Sequence, residues 1–207
     1  MAKIGAVILA AGMSKRMGKV KVLMPVNGIP MVQYPIRCAL DHHLHPILVI
    51  GGKYIEEMKN SVGIHQGVQL IWNPNYESGM ASSLKLAIQS VGTEVDAVLV
   101  FLADQPFVHH SVVHSLIEQY QLKKTDGIKI IRPAYNGVFG HPILFDRSLF
   151  EDFQAISGDQ GGRSIIKKNS PAVEIISFQN QLWGMDIDTP EEYATMHKCL
   201  RQSIDER

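Results

Sequence analysis

The chain has 207 residues, of which 45% are hydrophobic, which fits one domain of generous size with a real core. Lys+Arg and Asp+Glu are equal at 20 each, and that balance argues against a general nucleic-acid or membrane binder, since both favour a basic surplus. No apolar run approaches the ~20 residues that span a bilayer.

Residues 4–9 form a continuous apolar run, as expected of a strand covered on both faces. They lead into Ala10-Ala11-Gly12, and then into a loop carrying Arg16, Lys19 and Lys21. Small residues let a backbone approach a ligand closely, and free N–H groups there can face anionic oxygens. The combination points to a site for a nucleoside triphosphate. Two familiar phosphate loops are excluded by spacing. A P-loop has four residues between its glycines and then Lys-Ser/Thr, whereas Gly12 and Gly18 have five between them and Lys19 precedes Val20. The dinucleotide fingerprint G-x-G-x-x-G is absent as well.

Helical spacing over 31–40 predicts a helix, with Pro30 and Pro35 placed early in it. A strand at 46–50 ends at Gly51-Gly52, a helix follows at 55–62, and a strand at 68–72. Met80, Leu84, Ala87, Ile88 and Val91 make one stripe of a helix over 79–91. Residues 97–102 are a buried strand, 112–122 an amphipathic helix, 128–145 two short strands around a Gly-rich turn, and 172–178 a late strand. A last helix opens on Thr189-Pro190 with Glu192 completing a capping box, and Tyr193, Met196 and Leu200 supply its apolar face. Repeated strand–helix units predict an α/β fold with a doubly wound, mostly parallel sheet between helical layers. Residues 1–207 read as a single domain in which 123–170 breaks the alternation.

In open sheets of this kind, ligands bind beyond the carboxyl ends of the strands. Three polar clusters sit at such ends: the basic loop, Asn73-Pro74-Asn75 with Ser78 to Ser83, and Asp104-Gln105-Pro106. A carboxylate at Asp104 suits a magnesium ion among phosphate oxygens, although an aspartate before such a turn also serves as a cap. Asp186 and Asp188 face the same way in an extended segment, a costly pairing unless a cation lies between them. Ser82 and Ser83 open a helix and can either meet a ribose or base or simply cap it. Arg163, in a Gly-rich turn, can clamp a second anion. Asp41-His42-His43 with His45 falls at a helix end, matches no common zinc spacing and reads as solvated surface, as does His109-His110. Cys38 and Cys199 lie far apart and without C-x-x-C, as free thiols in a reducing cytosol do. The start of the chain has no cleavage site of the signal-peptide type, which adds to the expectation of a cytoplasmic protein.

Taken together, the motifs resemble those of MobA-like nucleotidyltransferases, most closely the molybdenum cofactor cytidylyltransferase branch. The resemblance rests on Leu9-Ala10-Ala11-Gly12 through Gly18 with Lys21, Leu23 and Pro25, on Asn73-Pro74 with Gly79-Met80 and Ser83-Leu84, and on Leu102 to Pro106. It extends to Gly140 to Phe145 and to Asp186 to Pro190. One departure is Gly161-Gly162-Arg163, where relatives usually carry Gly-Ala-Arg. The resemblance implies a Rossmann-like three-layer sandwich and a Mg²⁺-dependent transfer of CMP from CTP to the phosphate of a molybdopterin-type acceptor, with pyrophosphate leaving. Ala10-Ala11-Gly12, where guanylyltransferase relatives show Ala-Gly-Gly, favours a cytidine nucleotide.

Carried over by position, Leu9, Ala10, Ala11 and Gly12 with Arg16, Lys21, Ser82, Ser83 and Asp104 meet the nucleotide. Arg16, Lys21 and Asp104 carry the catalysis. Asp104 and Asp188, supported by Asp186, hold the metal, and His141 and Arg163 face the acceptor, the latter pair within the 123–170 sub-region. The implied partner is a molybdenum hydroxylase such as xanthine dehydrogenase. Two alternatives stand beside this reading: transfer to a sugar phosphate or other phosphorylated acceptor, and a non-catalytic carrier of the pterin cofactor.

Overall fold

The structure is a computed structural model, and it describes residues 2–14, 16–63 and 65–196. Cys199 and Leu200 lie outside the described residues. The strands are β1 (Ile4–Ala10), β2 (Pro25–Val26), β3 (Ile29–Pro30), β4 (Ile47–Gly51), β5 (Val68–Trp72), β6 (Ala97–Leu102), β7 (Ile130–Tyr135), β8 (Val138–Phe139), β9 (Ile143–Asp146) and β10 (Val173–Phe178). The helices are α1 (Gln33–Asp41), α2 (Ile55–Val62), α3 (Met80–Ser90), α4 (His110–Lys123), α5 (Arg163–Lys168) and α6 (190–196).

The apolar runs explain the sheet. Along β1, Ile4, Ala6 and Ile8 point into one cluster and Val7 into another; β4 and β6 divide in the same way, with Ile47, Val49, Leu99 and Phe101 on the first face and Leu48, Ile50, Val98 and Val100 on the second. Strands covered on both faces need apolar side chains at every position. The first face is covered by α1, α2 and α4 through Ile36, Met58, Val62, Val112 and Leu116. The second is covered by α3, α5 and a 3₁₀ stretch, Arg147–Ala155, through Leu84, Ala87, Ile165, Leu149 and Phe153. This is the expected three-layer arrangement.

The main sheet runs β10-β7-β9-β6-β1-β4-β5, with β8 on β7. Neighbours β6, β1, β4 and β5 are parallel, β10 is parallel to β7, and β9 lies antiparallel between β7 and β6. Residues 128–145 therefore hold three strands rather than two: Asn136-Gly137 turns β7 into β8, and β9 passes on into the sheet.

The parallel register places the site. Leu9 pairs with Leu102, and the Ala103 amide donates to the Leu9 carbonyl beyond the last strand pair. The loops after β1 and β6 thus leave the sheet side by side. Next to them, the Asn73 amide donates to Gly51 and carries the pairing past β4 and β5.

Candidate active site

The basic loop folds back on itself through Ser14. Its carbonyl accepts from the Met17 amide at 3.1 Å, and its hydroxyl accepts from the Lys21 amide at 3.0 Å. Met17 and Val22 are buried beneath the loop. These anchors turn the Lys21 side chain toward the rim, where its ammonium lies 2.6 Å from Asp104 Oδ2 and 2.7 Å from Asp188 Oδ1. Arg16 Nη2 reaches the other Asp188 oxygen at 2.8 Å. Cations from the first turn and acids from two distant segments thus share one cluster.

The acidic segment is held by its own alternation. Ile187, between the two aspartates, is fully buried against Val26, Met31 and Met196, and its amide donates to the Asp104 carbonyl at 3.1 Å. Burying Ile187 turns Asp186 and Asp188 together toward Asp104, as period two requires. The capping box forms as well: Glu192 accepts from the Asp188 and Thr189 amides, and Thr189 Oγ1 accepts from the Glu192 amide.

The charges are uneven. Burial works against the Lys21 ammonium, but Asp104 and then Asp188 outweigh it and raise its pKa. Burial likewise opposes the Asp188 charge, yet Lys21 and Arg16 hold that carboxyl below the usual range. Asp186 moves the other way, pushed up by burial and then by Asp104. Lys21 opposes that shift only from a distance, and the carboxyl accepts from Gln105 Nε2 at 2.7 Å.

The adjoining cleft is lined by Leu9, Ala10, Ala11, Gly12, Lys21, Asp104 and Ser83, and by Tyr76, Glu77 and Asp159. Ser82 stands apart. Its single hydroxyl proton is shared between the Asn75 and Gly79 carbonyls, its oxygen accepts from Asn73, and it lines a neighbouring hollow. Asn73 is buried and donates to both Ser82 and Ser83, so this motif braces the start of α3.

His141 and Arg163 are not among the residues lining the cleft. They meet a residue that the sequence reading missed, Arg132 of β7. Burial and then Arg132 and Arg163 push His141 down to about 4, and burial with Arg163 lowers Arg132. Arg132 lies 4.1 Å over the Phe139 ring, and its Nε is buried without a hydrogen-bond partner. A polar residue interrupting an apolar strand run was its one sequence signal. Gln105 stands within a motif without a task in the sequence, and Asp159 is a further cleft residue. Asp159 Oδ1 accepts from the Met80 amide at the start of α3. The departure at Gly162 also has a physical reason: a Cβ there would stand 3.0 Å from the Phe145 ring, tighter than ordinary contact.

Asp104, just past the carboxyl end of β6, with the 186–188 segment joined to it through the Ile187 amide, places this site where open α/β sheets bind ligands. A family model described as the MobA-like NTP transferase domain matches residues 6–173. The chain belongs to this nucleotidyltransferase family. It is 29% identical over 196 residues to the molybdenum cofactor cytidylyltransferase of Escherichia coli (strain K12), covering 94% of this chain and 96% of that one. It is 26% identical over 199 residues to the nicotine blue oxidoreductase of Paenarthrobacter nicotinovorans, covering 91% and 94%. The crystal structure of Rv0371c from Mycobacterium tuberculosis H37Rv matches with a TM-score of 0.82 at 22% identity, over 95% of this chain and 98% of that one. Among the described residues, no helix is long and apolar enough to cross a membrane.

Proposed function

We propose that this protein transfers CMP from CTP to the phosphate of a molybdopterin-type acceptor and releases pyrophosphate. The observation that carries the reading is the Lys21 ammonium set between Asp104 and Asp188 at 2.6 and 2.7 Å. Those acids are a hard-oxygen donor set drawn around a positive charge, the chemistry that Mg²⁺ selects. Asp104 and Asp188 would hold Mg²⁺, with Asp186 in support through Gln105. Bound there, the ion supplies charge neutralisation at the α-phosphate and the leaving pyrophosphate.

The chain's own residues do the rest by positioning and electrostatics. Lys21 and Arg16 leave the carboxylates for the triphosphate oxygens and stabilise the departing charge. The small Ala10–Gly12 backbone and Ser83 admit the base and ribose. The cation pair of Arg132 and Arg163, beside a neutral His141, takes the acceptor phosphate. That phosphate is already ionised at neutral pH, so in-line attack on the α-phosphorus needs no strong general base.

Relatives differ in what they are named for, one a cytidylyltransferase and one an oxidoreductase, so membership alone does not choose the chemistry. The absence of G-x-G-x-x-G and the acid–cation cluster favour transfer. The family resemblance further implies delivery of the product to a molybdenum hydroxylase such as xanthine dehydrogenase.

The test is a panel of α-labelled nucleoside triphosphates with Mg²⁺ and purified molybdopterin cofactor. Label moving from CTP to the pterin with pyrophosphate release is the expected result. Transfer to a sugar phosphate but not to the pterin selects another acceptor, and pterin binding without turnover of any triphosphate selects a carrier; either outcome overturns the reading.

A further inference from the structure

Outside the cleft lining, the end of α1 meets the start of α4, and the fold gathers there residues that the linear spacing kept apart. Cys38 and His42 are one helical turn apart and share a face of α1. His110 opens α4, and its ring stacks on that of His42 with centroids 5.4 Å apart. The ligating atoms of Cys38, His42 and His110 all lie within 4.8 Å of one another.

The surroundings have the character of a metal site. His42 Nδ1 lies 2.9 Å from the Cys38 carbonyl. As a donor there, it leaves its lone pair on Nε2, and a backbone carbonyl is a usual orienting partner of a metal-bound imidazole. The Asp41 carboxylate stands 3.6 Å from His110 Nε2, the kind of outer partner that fixes a second ligating ring. Cys38 is buried, His42 half-buried and His110 exposed, so the three residues run from the core to the surface. No partner for a disulfide occurs among the described residues.

We propose that Cys38, His42 and His110 form a binding site for a soft divalent cation of the zinc class, distinct from the carboxylate cluster. One sulfur and two imidazole nitrogens favour such an ion over magnesium or calcium. Three protein ligands leave a fourth position for water. On binding, the thiol proton is released to solvent and a sulfur–metal bond forms.

Titration of metal-stripped, untagged protein with Co²⁺ tests this by absorption. The expected result is one equivalent bound with a sulfur-to-cobalt charge-transfer band and visible bands of four-coordinate cobalt. Cys38→Ser removes the charge-transfer band, and His110→Ala, at an exposed helix start, weakens binding by at least ~10-fold. Asp104→Asn leaves the band in place, separating this site from the carboxylates. A wild-type titration without the sulfur band overturns the proposal, and so does unaltered affinity in His110→Ala. Neither readout depends on nucleotidyl transfer.

Discussion

At the level of single residues, Lys21 carries the most consequence. Its ammonium makes two of the cluster's three cation–carboxylate contacts, one to Asp104 and one to Asp188, and Arg16 makes the third, to Asp188. A metal ion entering between those acids competes with Lys21 for the same oxygens. Lys21→Met keeps the aliphatic stem and removes the competitor. With Lys21 gone, Asp104 loses its cation and Asp188 keeps only Arg16, so the two acids repel each other and hold a divalent ion more tightly. We therefore expect Lys21→Met to bind Mn²⁺ with higher affinity than wild type when nucleotide is absent, read by calorimetry. With nucleotide present, turnover falls by ~100-fold, the scale of one lost electrostatic contact to developing charge. Weaker Mn²⁺ binding in the variant would mean that Lys21 supports the carboxylates rather than competing for them. Asp104 stands out in the sequence because it follows a buried apolar run, Lys21 because it belongs to a small-residue basic loop, and Asp188 because it alternates with Asp186. Arg132 gives only the weak signal of a polar residue in a strand, because its meaning depends on the charge of Arg163, which is distant in sequence.

Elements follow the same division. β1, β4, β5, β6, α2 and α3 were legible because burial on two faces, or on one stripe, writes itself directly into apolar periodicity. The hairpin of β2 and β3 carried a readable signal in Asn27-Gly28, both at positive φ, but two-residue strands are too short for periodicity to register. The 3₁₀ stretch after β9 is shaped by packing on α3, and the short α5 by packing on that stretch, rather than by their own propensity. His42 and His110 are the sharpest case: each reads as a solvated helix end alone, and only the meeting of α1 with α4 stacks them.

The seat of α3 also depends on tertiary contact. Gly79 has φ +100, and a Cβ there would lie 2.6 Å from the Gly158 backbone and from Asp159. Gly79→Ala is thus strained in conformation and in space. We expect it to lower stability by ~1–3 kcal/mol, seen in urea unfolding. It also displaces Asp159 from the Met80 amide, and with it one wall of the cleft, raising the KM for nucleotide. An unchanged KM alongside lost stability would detach the 158–160 turn from the cleft's function.

Over the whole molecule, stability is tied to charge through groups that folding moves in opposite directions. Asp188 is held low by Lys21 and Arg16, Asp186 is pushed high by burial and Asp104, and His141 is pushed down to about 4 from 6.5. The carboxylate shifts pull against each other, that of Asp188 acting below the ordinary carboxylate value and that of Asp186 above it. His141 acts between 6.5 and about 4. Its folded pKa lies below its unfolded one, so the neutral ring's contribution is fully present above 6.5. As pH falls from 6.5 toward 4, the unfolded chain takes up a proton that the folded chain refuses, and stability is lost. A shift of this size corresponds to about 3 kcal/mol at the acid end. His141→Gln is of similar bulk and cannot titrate. Urea unfolding at a series of pH values should show the wild type losing ground to His141→Gln steadily across that window, with a constant difference above it. Parallel curves would mean that His141 takes its proton as readily in the fold as outside it. Burial and the two arginines would then fail to hold the ring neutral, and the neutral imidazole assigned beside the acceptor phosphate would be lost.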